Sequence, residues 1–335
     1  MSDNDLYADA ARQVLADHCT PQAVRDIEAG GDAAGRLWQQ LEDTGLADAL
    51  VGEEEGGSGL SLEQVFGVLE QCGAHALPLL LGETMIARAL LPAAQRPAGS
   101  IALARGVQQA DGAWHCALVR GGAVADSVLV QTGDAWRLLD AAQAHREPQA
   151  LALDAALSWT PAQVAAAPLA PMDAATDVRT MQACVVAPQM AGALGSVLER
   201  TLQYANERQQ FGRPIGKFQA IQHQLAVMSE HVCAARMAAQ LGCHADGVAP
   251  DRLRVAVAKA RCSEAALVVS ELAHAVHGAI GFTEEYDLQL YTRRLHAWRQ
   301  TAGSEAYWHD VAGEALLAHA GPTLDLVRTI TDVPA

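Results

Sequence analysis

The chain has 335 residues, 50% of them hydrophobic and 4% aromatic, and a formal net charge of -16 at pH 7. That length can bury two or three packed layers around a shared core. The acidic balance argues against the basic patches on which nucleic-acid binding rests, and the abundance of alanine and leucine favours helices.

In chain order, Met1 to Asp5 has neither the basic nor the apolar stretch of a signal peptide. No apolar run is read as long enough to span a bilayer, the stretch from Val51 to Leu81 being broken by Glu53, Glu54, Glu55 and Gly56. A cytoplasmic protein without membrane insertion is expected. Residues 5 to about 95 read as helices with short breaks. Ala10, Val14 and Leu15 share one face of the first, and Leu37, Leu41 and Leu46 form the next apolar stripe. After a glycine-rich loop, Ser61 and Gln64 have the spacing of a capping box.

From about residue 99 to 170 short apolar runs lie between Gly and Asp. Ile101–Ala104, Trp114–Val119 and Ser127–Gln131 read as strands, with turns at Asp111-Gly112 and Gly121-Gly122. From Asp173 helical periodicity returns. It predicts helices ending near Arg208, from Gln219 to about Gly242, from Asp251 to about His277, after Tyr286 and after Ser304. Four or five such helices make an antiparallel bundle. The fold class is therefore α+β, mainly α, with boundaries at 1–97 for an N-terminal helical domain, 98–172 for a small β domain and 173–335 for a C-terminal bundle. The seven cysteines include no Cys-x-x-Cys pair and read as buried, reduced thiols. His274 and His277, like His223 and His231, have no carboxylate or Cys at ligand spacing, so no metal is expected.

Two motifs stand out. Tyr204-Ala205-Asn206-Glu207-Arg208-Gln209-Gln210-Phe211-Gly212 ends one helix and turns. His277-Gly278-Ala279-Ile280-Gly281-Phe282, with Leu290-Tyr291-Thr292-Arg293-Arg294 beyond it, follows another. In this order and separation they closely resemble the signatures of the FAD-dependent acyl-CoA dehydrogenases, and the layout resembles that family along the whole chain. The resemblance implies that the bundle mediates a dimer with FAD across the interface. Arg208, Gln210 and Phe211 would then reach the adenine-diphosphate half of a flavin held mainly by the neighbouring subunit, and Gln219, Gly278 and Ser304 would join them. An Arg fork suits a pyrophosphate, and the free N–H groups at the start of the helix at Gln219 suit an anion. Arg208 alone equally reads as a charge at a helix C-terminus, and Gly278 as a C-cap. The family's adjacent glycine pair is here Gly278-Ala279, and its preceding Gln is Ala275.

The reaction implied by the resemblance is α,β-dehydrogenation of an acyl-CoA thioester. A Glu removes the α proton while the β hydrogen leaves as hydride to flavin. Counted from Arg293, the usual Glu position is Ala302, before Gly303-Ser304. The minority position, counted back from Arg208, is Gln182. Neither is a base. Glu305 is near Ala302 in sequence and reads either as a relocated base or as a first-turn charge behind Ser304. The family's sheet motifs are replaced by Ala102-Leu103-Ala104-Arg105-Gly106 and Leu118-Val119-Arg120-Gly121-Gly122. Three readings follow. One is a subunit of a heteromeric acyl-CoA dehydrogenase, a heterotetramer or dimer in which a homologous partner supplies base and flavin ring. The second is a self-sufficient homodimer, and the third a non-catalytic scaffold. The first fits the retained and missing residues best. It implies FAD, an acyl-CoA substrate such as a steroid side-chain or other bulky thioester, and electron-transferring flavoprotein as acceptor.

Overall fold

Five helices precede the first strand: α1 Asp3–His18, α2 Pro21–Glu28, α3 Ala33–Asp43, α4 Leu62–Ala74 and α5 Leu81–Leu90. The computed structural model describes residues 3–173, 176–245 and 247–331. The buried face of α1 runs through Ala11 and Leu15 and continues to Cys19 just past its end, and Ala10 is exposed. The sequence reading was one residue off because alanine, small and weakly apolar, fits either side of a stripe. Leu37, Leu41 and Leu46 are buried as expected. Ser61 caps α4. Its hydroxyl accepts from the Gln64 amide at 3.3 Å, and the Gln64 side chain accepts from the Ser61 amide at 2.9 Å.

Seven strands follow: β1 Ile101–Arg105, β2 Val107–Gln108, β3 Trp114–Val119, β4 Ser127–Thr132, β5 Ala135–Asp140, β6 His145–Pro148 and β7 Ala155–Trp159. They form a three-stranded sheet in the order β1-β4-β5 and a four-stranded sheet in the order β2-β3-β7-β6. The pleat sorts β1 by alternate residues. Ile101 and Leu103 join the helical core, while Ala102 and Ala104 pack with Trp114, Cys116 and Leu157 between the sheets. β5 to β7 escape the sequence reading because Arg137, Glu147 and Ser158 interrupt their apolar runs.

The short helix α6 Pro161–Ala166 leads to the bundle, α7 Val178–Glu207, α8 Gln219–Gly242 and α9 Arg252–His277. Against it pack α10 Leu288–Gln300 and α11 Glu305–Ala318, and α12 Thr323–Thr331 ends the described chain. The bundle helices begin and end where the sequence pattern puts them. α4 crosses α7 with backbone contact. A Cβ on Gly73 would lie 1.8 Å from the Gln189 carbonyl oxygen, and one on Gly192 would lie 1.9 Å from that of Glu70, so only glycine fits at both points. α7 and the stretch Arg252–Phe282 are long and apolar enough to cross a membrane by composition, contrary to the expectation that no run reaches that length. The apolar window of α7 is 83% buried inside the protein. A helix packed on every side, by α4, α8 and α9, is apolar all round for that reason.

A cleft without a base and an outward hairpin as candidate flavin sites

Where β1 and β3 meet the start of α7 and the α10–α11 turn there is a cavity of about 390 Å³. Gln182 and Ala302, 120 residues apart in sequence, both line it. Thus the two positions at which the family resemblance looks for a Glu converge on one space, and neither residue can take up a proton. The Gln182 amide donates to the Leu103 carbonyl of β1 at 2.6 Å. An ionised carboxylate in its place would face that oxygen with no hydrogen to give.

The turn carrying Ala302 is held from beneath. Ala302 has φ +59° and Gly303 φ +104°. The fully buried Lys259 ammonium donates to the carbonyls of Arg299 at 3.0 Å and Gly303 at 2.9 Å and to the Ser263 hydroxyl at 3.0 Å. Burial pushes the Lys259 pKa down to about 7. The Trp308 indole N–H donates to the Ala302 carbonyl at 3.1 Å. Glu305 starts α11 and gives both carboxylate oxygens to Arg299. The hydrogen bonds from Arg299 hold its carboxyl below the usual range, and it is not among the residues lining the cavity. A relocated base would need the opposite shift and a place in the cleft. Ser304 is the N-cap residue of α11, but its hydroxyl makes no capping bond.

At the wall of the cleft lies a cluster that gave no signal in the sequence. The buried Arg120 donates to Glu83 at 2.6 Å and to the Gln189 side chain at 2.5 Å, with its guanidinium 4.9 Å from the centre of the Trp298 ring. These four residues come from the turn after β3 and from α5, α7 and α10, so only the tertiary fold brings them together.

The Arg208 segment behaves differently. α7 ends at Glu207, and β8 Gln209–Gln210 pairs antiparallel with β9 Arg213–Pro214. Phe211 and Gly212 form the tip, at φ +51° and +80°. Phe211 is 90% exposed; its ring meets Phe218 edge-on at 6.0 Å, and Arg213 lies over Phe218 at 4.2 Å. Arg208, Gln210 and Gln219 are also exposed. Ala205, Ile215 and Val276 pack together under the hairpin, so the Arg208 motif and the glycine motif share one end of the bundle. Tyr204 joins them: its ring stacks on His277 at 4.4 Å and its hydroxyl donates to the His277 carbonyl at 3.3 Å. Gly278 caps α9 at φ +65°, and a Cβ built on it would meet nothing within 4 Å. The backbone at Gly278 is therefore open on the side where a side chain would stand. His277 bonds to the Ala273 carbonyl and the Tyr286 hydroxyl, and His274 to the Thr292 hydroxyl. Among the described residues no group of three His, Cys, Asp or Glu could hold a metal ion.

Residues 2–94 match the family model "Acyl-CoA dehydrogenase, N-terminal domain", and residues 172–317 match "Acyl-CoA dehydrogenase, C-terminal domain". The chain belongs to the acyl-CoA dehydrogenase family. It is therefore a member of a family of FAD-dependent oxidoreductases. It is 32% identical over 320 aligned residues to the acyl-CoA dehydrogenase IpdE2 of Mycobacterium tuberculosis, covering 89% of this chain and 92% of that one. Among solved structures, the ChsE4-ChsE5 complex from Mycobacterium tuberculosis aligns with a TM-score of 0.83 at 21% identity, over 96% of this chain and 99% of the other. A structure titled Tcur3481-Tcur3483 steroid ACAD G363A variant aligns at 0.80 and 26% identity, over 94% and 97%. The acyl-CoA dehydrogenase fold thus extends over the strands between the two matched segments.

Proposed function

We propose that this chain is the non-catalytic subunit of a heteromeric FAD-dependent acyl-CoA dehydrogenase. A homologous partner subunit would supply the base and hold the flavin ring, in a dimer or heterotetramer. The observation that carries this reading is the meeting of Gln182 and Ala302 in one cavity with no carboxylate among its lining residues. Glu305, tied to Arg299, gives no support to a self-sufficient homodimer.

When bound, the flavin supplies the hydride acceptor for α,β-dehydrogenation. This chain's contribution is to hold it. Arg208 and Gln210 present donors from the hairpin, Phe211 an exposed ring, and Gly278 an open backbone against which a phosphate or ribose can rest. Gln219 begins α8 on the same surface, with the free amides of a helix N-terminus behind it. Ser304, its hydroxyl free of a capping bond at the start of α11, is a further candidate contact. That two of the similar solved structures are titled as a two-protein complex or a paired steroid enzyme supports a heteromer and a bulky, steroid-derived acyl-CoA. Electron-transferring flavoprotein is the acceptor this reading implies, in the cytoplasm.

The test is to purify the chain alone and co-expressed with a homologue that carries the Glu, and to record flavin absorbance and acyl-CoA oxidation. The expected outcome is a colourless lone chain and a yellow, active pair. Stoichiometric FAD and turnover in the lone chain would refute the assignment, and a colourless pair would favour a scaffold.

A further inference from the structure

The cleft described above has lost its base, yet it has not closed. Its lining carries no Asp or Glu, in a chain with 39 acidic and 23 basic residues. It does carry Arg105 and Arg179. Arg105 is exposed at the end of β1 and has no partner among the described residues. Arg179 lies 4.3 Å from the centre of the Tyr307 ring and also hydrogen-bonds the Tyr307 side chain, but has no carboxylate partner among them. Arg120, at the inner wall, is matched by Glu83 and adds no free charge. His115, fixed through its Nδ1 at 2.9 Å from the Ser158 hydroxyl, keeps its Nε2 for another contact. Opposite these groups the lip is apolar. Val107 and Leu118 are 62% and 41% exposed, and the Ala302 methyl forms part of the wall.

An uncompensated pair of guanidinium groups beside an apolar wall selects an amphipathic anion. Guanidinium forks bind carboxylates with charge-assisted hydrogen bonds. The exposed Val107 and Leu118 gain by being covered with alkyl surface. A bare phosphate would leave that wall wet, and a neutral chain would leave the charges unanswered. A volume of about 390 Å³ falls at the small end of ligand pockets. We infer that this cleft binds a free aliphatic carboxylate, which it holds without turning it over because no base faces it. This goes beyond the assignment of the hairpin to a partner's flavin and stands independently of it.

The probe is octanoate, titrated into the full chain while tryptophan emission is followed; Trp308, bonded to the Ala302 carbonyl, reports on the cleft. Octanol tests the charge and inorganic phosphate the tail. Saturable octanoate binding is expected, with octanol and phosphate at least about tenfold weaker, as expected for a lost charged contact or a lost apolar one. Arg105→Gln, at an exposed site, should weaken octanoate by about tenfold, and Ala302→Glu, which places a carboxylate in the wall, should abolish binding. Thermal unfolding of both variants confirms that they fold. The inference fails if octanoate does not saturate, if octanol or phosphate binds as tightly, or if both folded variants bind like the parent.

Discussion

The cleft and the hairpin are built from the two ends of one helix and differ in nearly every physical respect. The Gln182 end of α7 is buried, and its amide is committed to the Leu103 carbonyl. The Arg208 end is exposed and its guanidinium is uncommitted among the described residues. Behind the cleft, Lys259, Trp308 and Arg120 spend their donors inside the fold, while Arg105 and Arg179 in its lining have no carboxylate partner among the described residues. The hairpin instead displays its polar and aromatic side chains outward. One end of α7 thus presents donors and an aromatic ring to solvent, and the other spends Gln182 on the neighbouring strand.

The comparison can be broken most forcefully at Arg120. Arg120→Ala would leave Glu83, 2% exposed, charged and unpaired, and should lower unfolding free energy by about 3–5 kcal/mol, measurable as a reduced urea midpoint. If stability is unchanged, the Arg120–Glu83 pair does not hold the cleft wall together.

Lys259 gives a pH signature of the buried support beneath the Ala302 turn. Its folded pKa lies near 7, below the ordinary lysine value of 10.5. Between these values the unfolded chain binds more protons than the folded one. Lys259 thus weakens the fold most below about pH 7, and that penalty is relieved as pH rises toward 10.5. The difference in urea midpoint between Lys259→Met and the parent should therefore change steadily across this window, and a constant difference would contradict a desolvated amine.

Gln182→Glu restores the family's residue type but loses the donor to Leu103. It should cost about 1–3 kcal/mol near neutral pH. Because burial raises a carboxyl's pKa, acidification should recover part of the loss by returning a proton that can donate. No recovery at low pH would show that the bond to β1 is unimportant.

At the hairpin, Arg208→Ala should leave the unfolding midpoint within the range of an ordinary surface change, about 0.5 kcal/mol. In the two-subunit complex the same substitution should lower FAD retention by about tenfold or more, the scale of a lost charge-assisted contact. Unchanged retention would remove Arg208 from the flavin surface.

Much of the bundle was legible before the structure. The helix boundaries at Arg208, Gln219, Gly242, Asp251 and His277 follow from caps, glycines and apolar period, and the capping box at Ser61 and Gln64 follows from spacing. Ala10 was misplaced because alanine carries little information about which side of a helix is buried. β5 to β7 were unread because polar residues on their exposed faces interrupt short runs. Arg120 and Lys259 were invisible as site residues because their partners are remote in sequence, Glu83 37 positions away and the Gly303 carbonyl 44.

By itself the sequence determined the fold class, the family signatures at Arg208 and Gly278, and the absence of Glu at positions 182 and 302, since these rest on local periodicity, residue chemistry and spacing. Only the tertiary structure decided that Gln182 and Ala302 face the same cavity, that Glu305 is held by Arg299 away from it, and that Phe211 stands in solvent. Those outcomes depend on how helices and sheets pack across long sequence separations, and packing is fixed by shape and burial that no local pattern encodes.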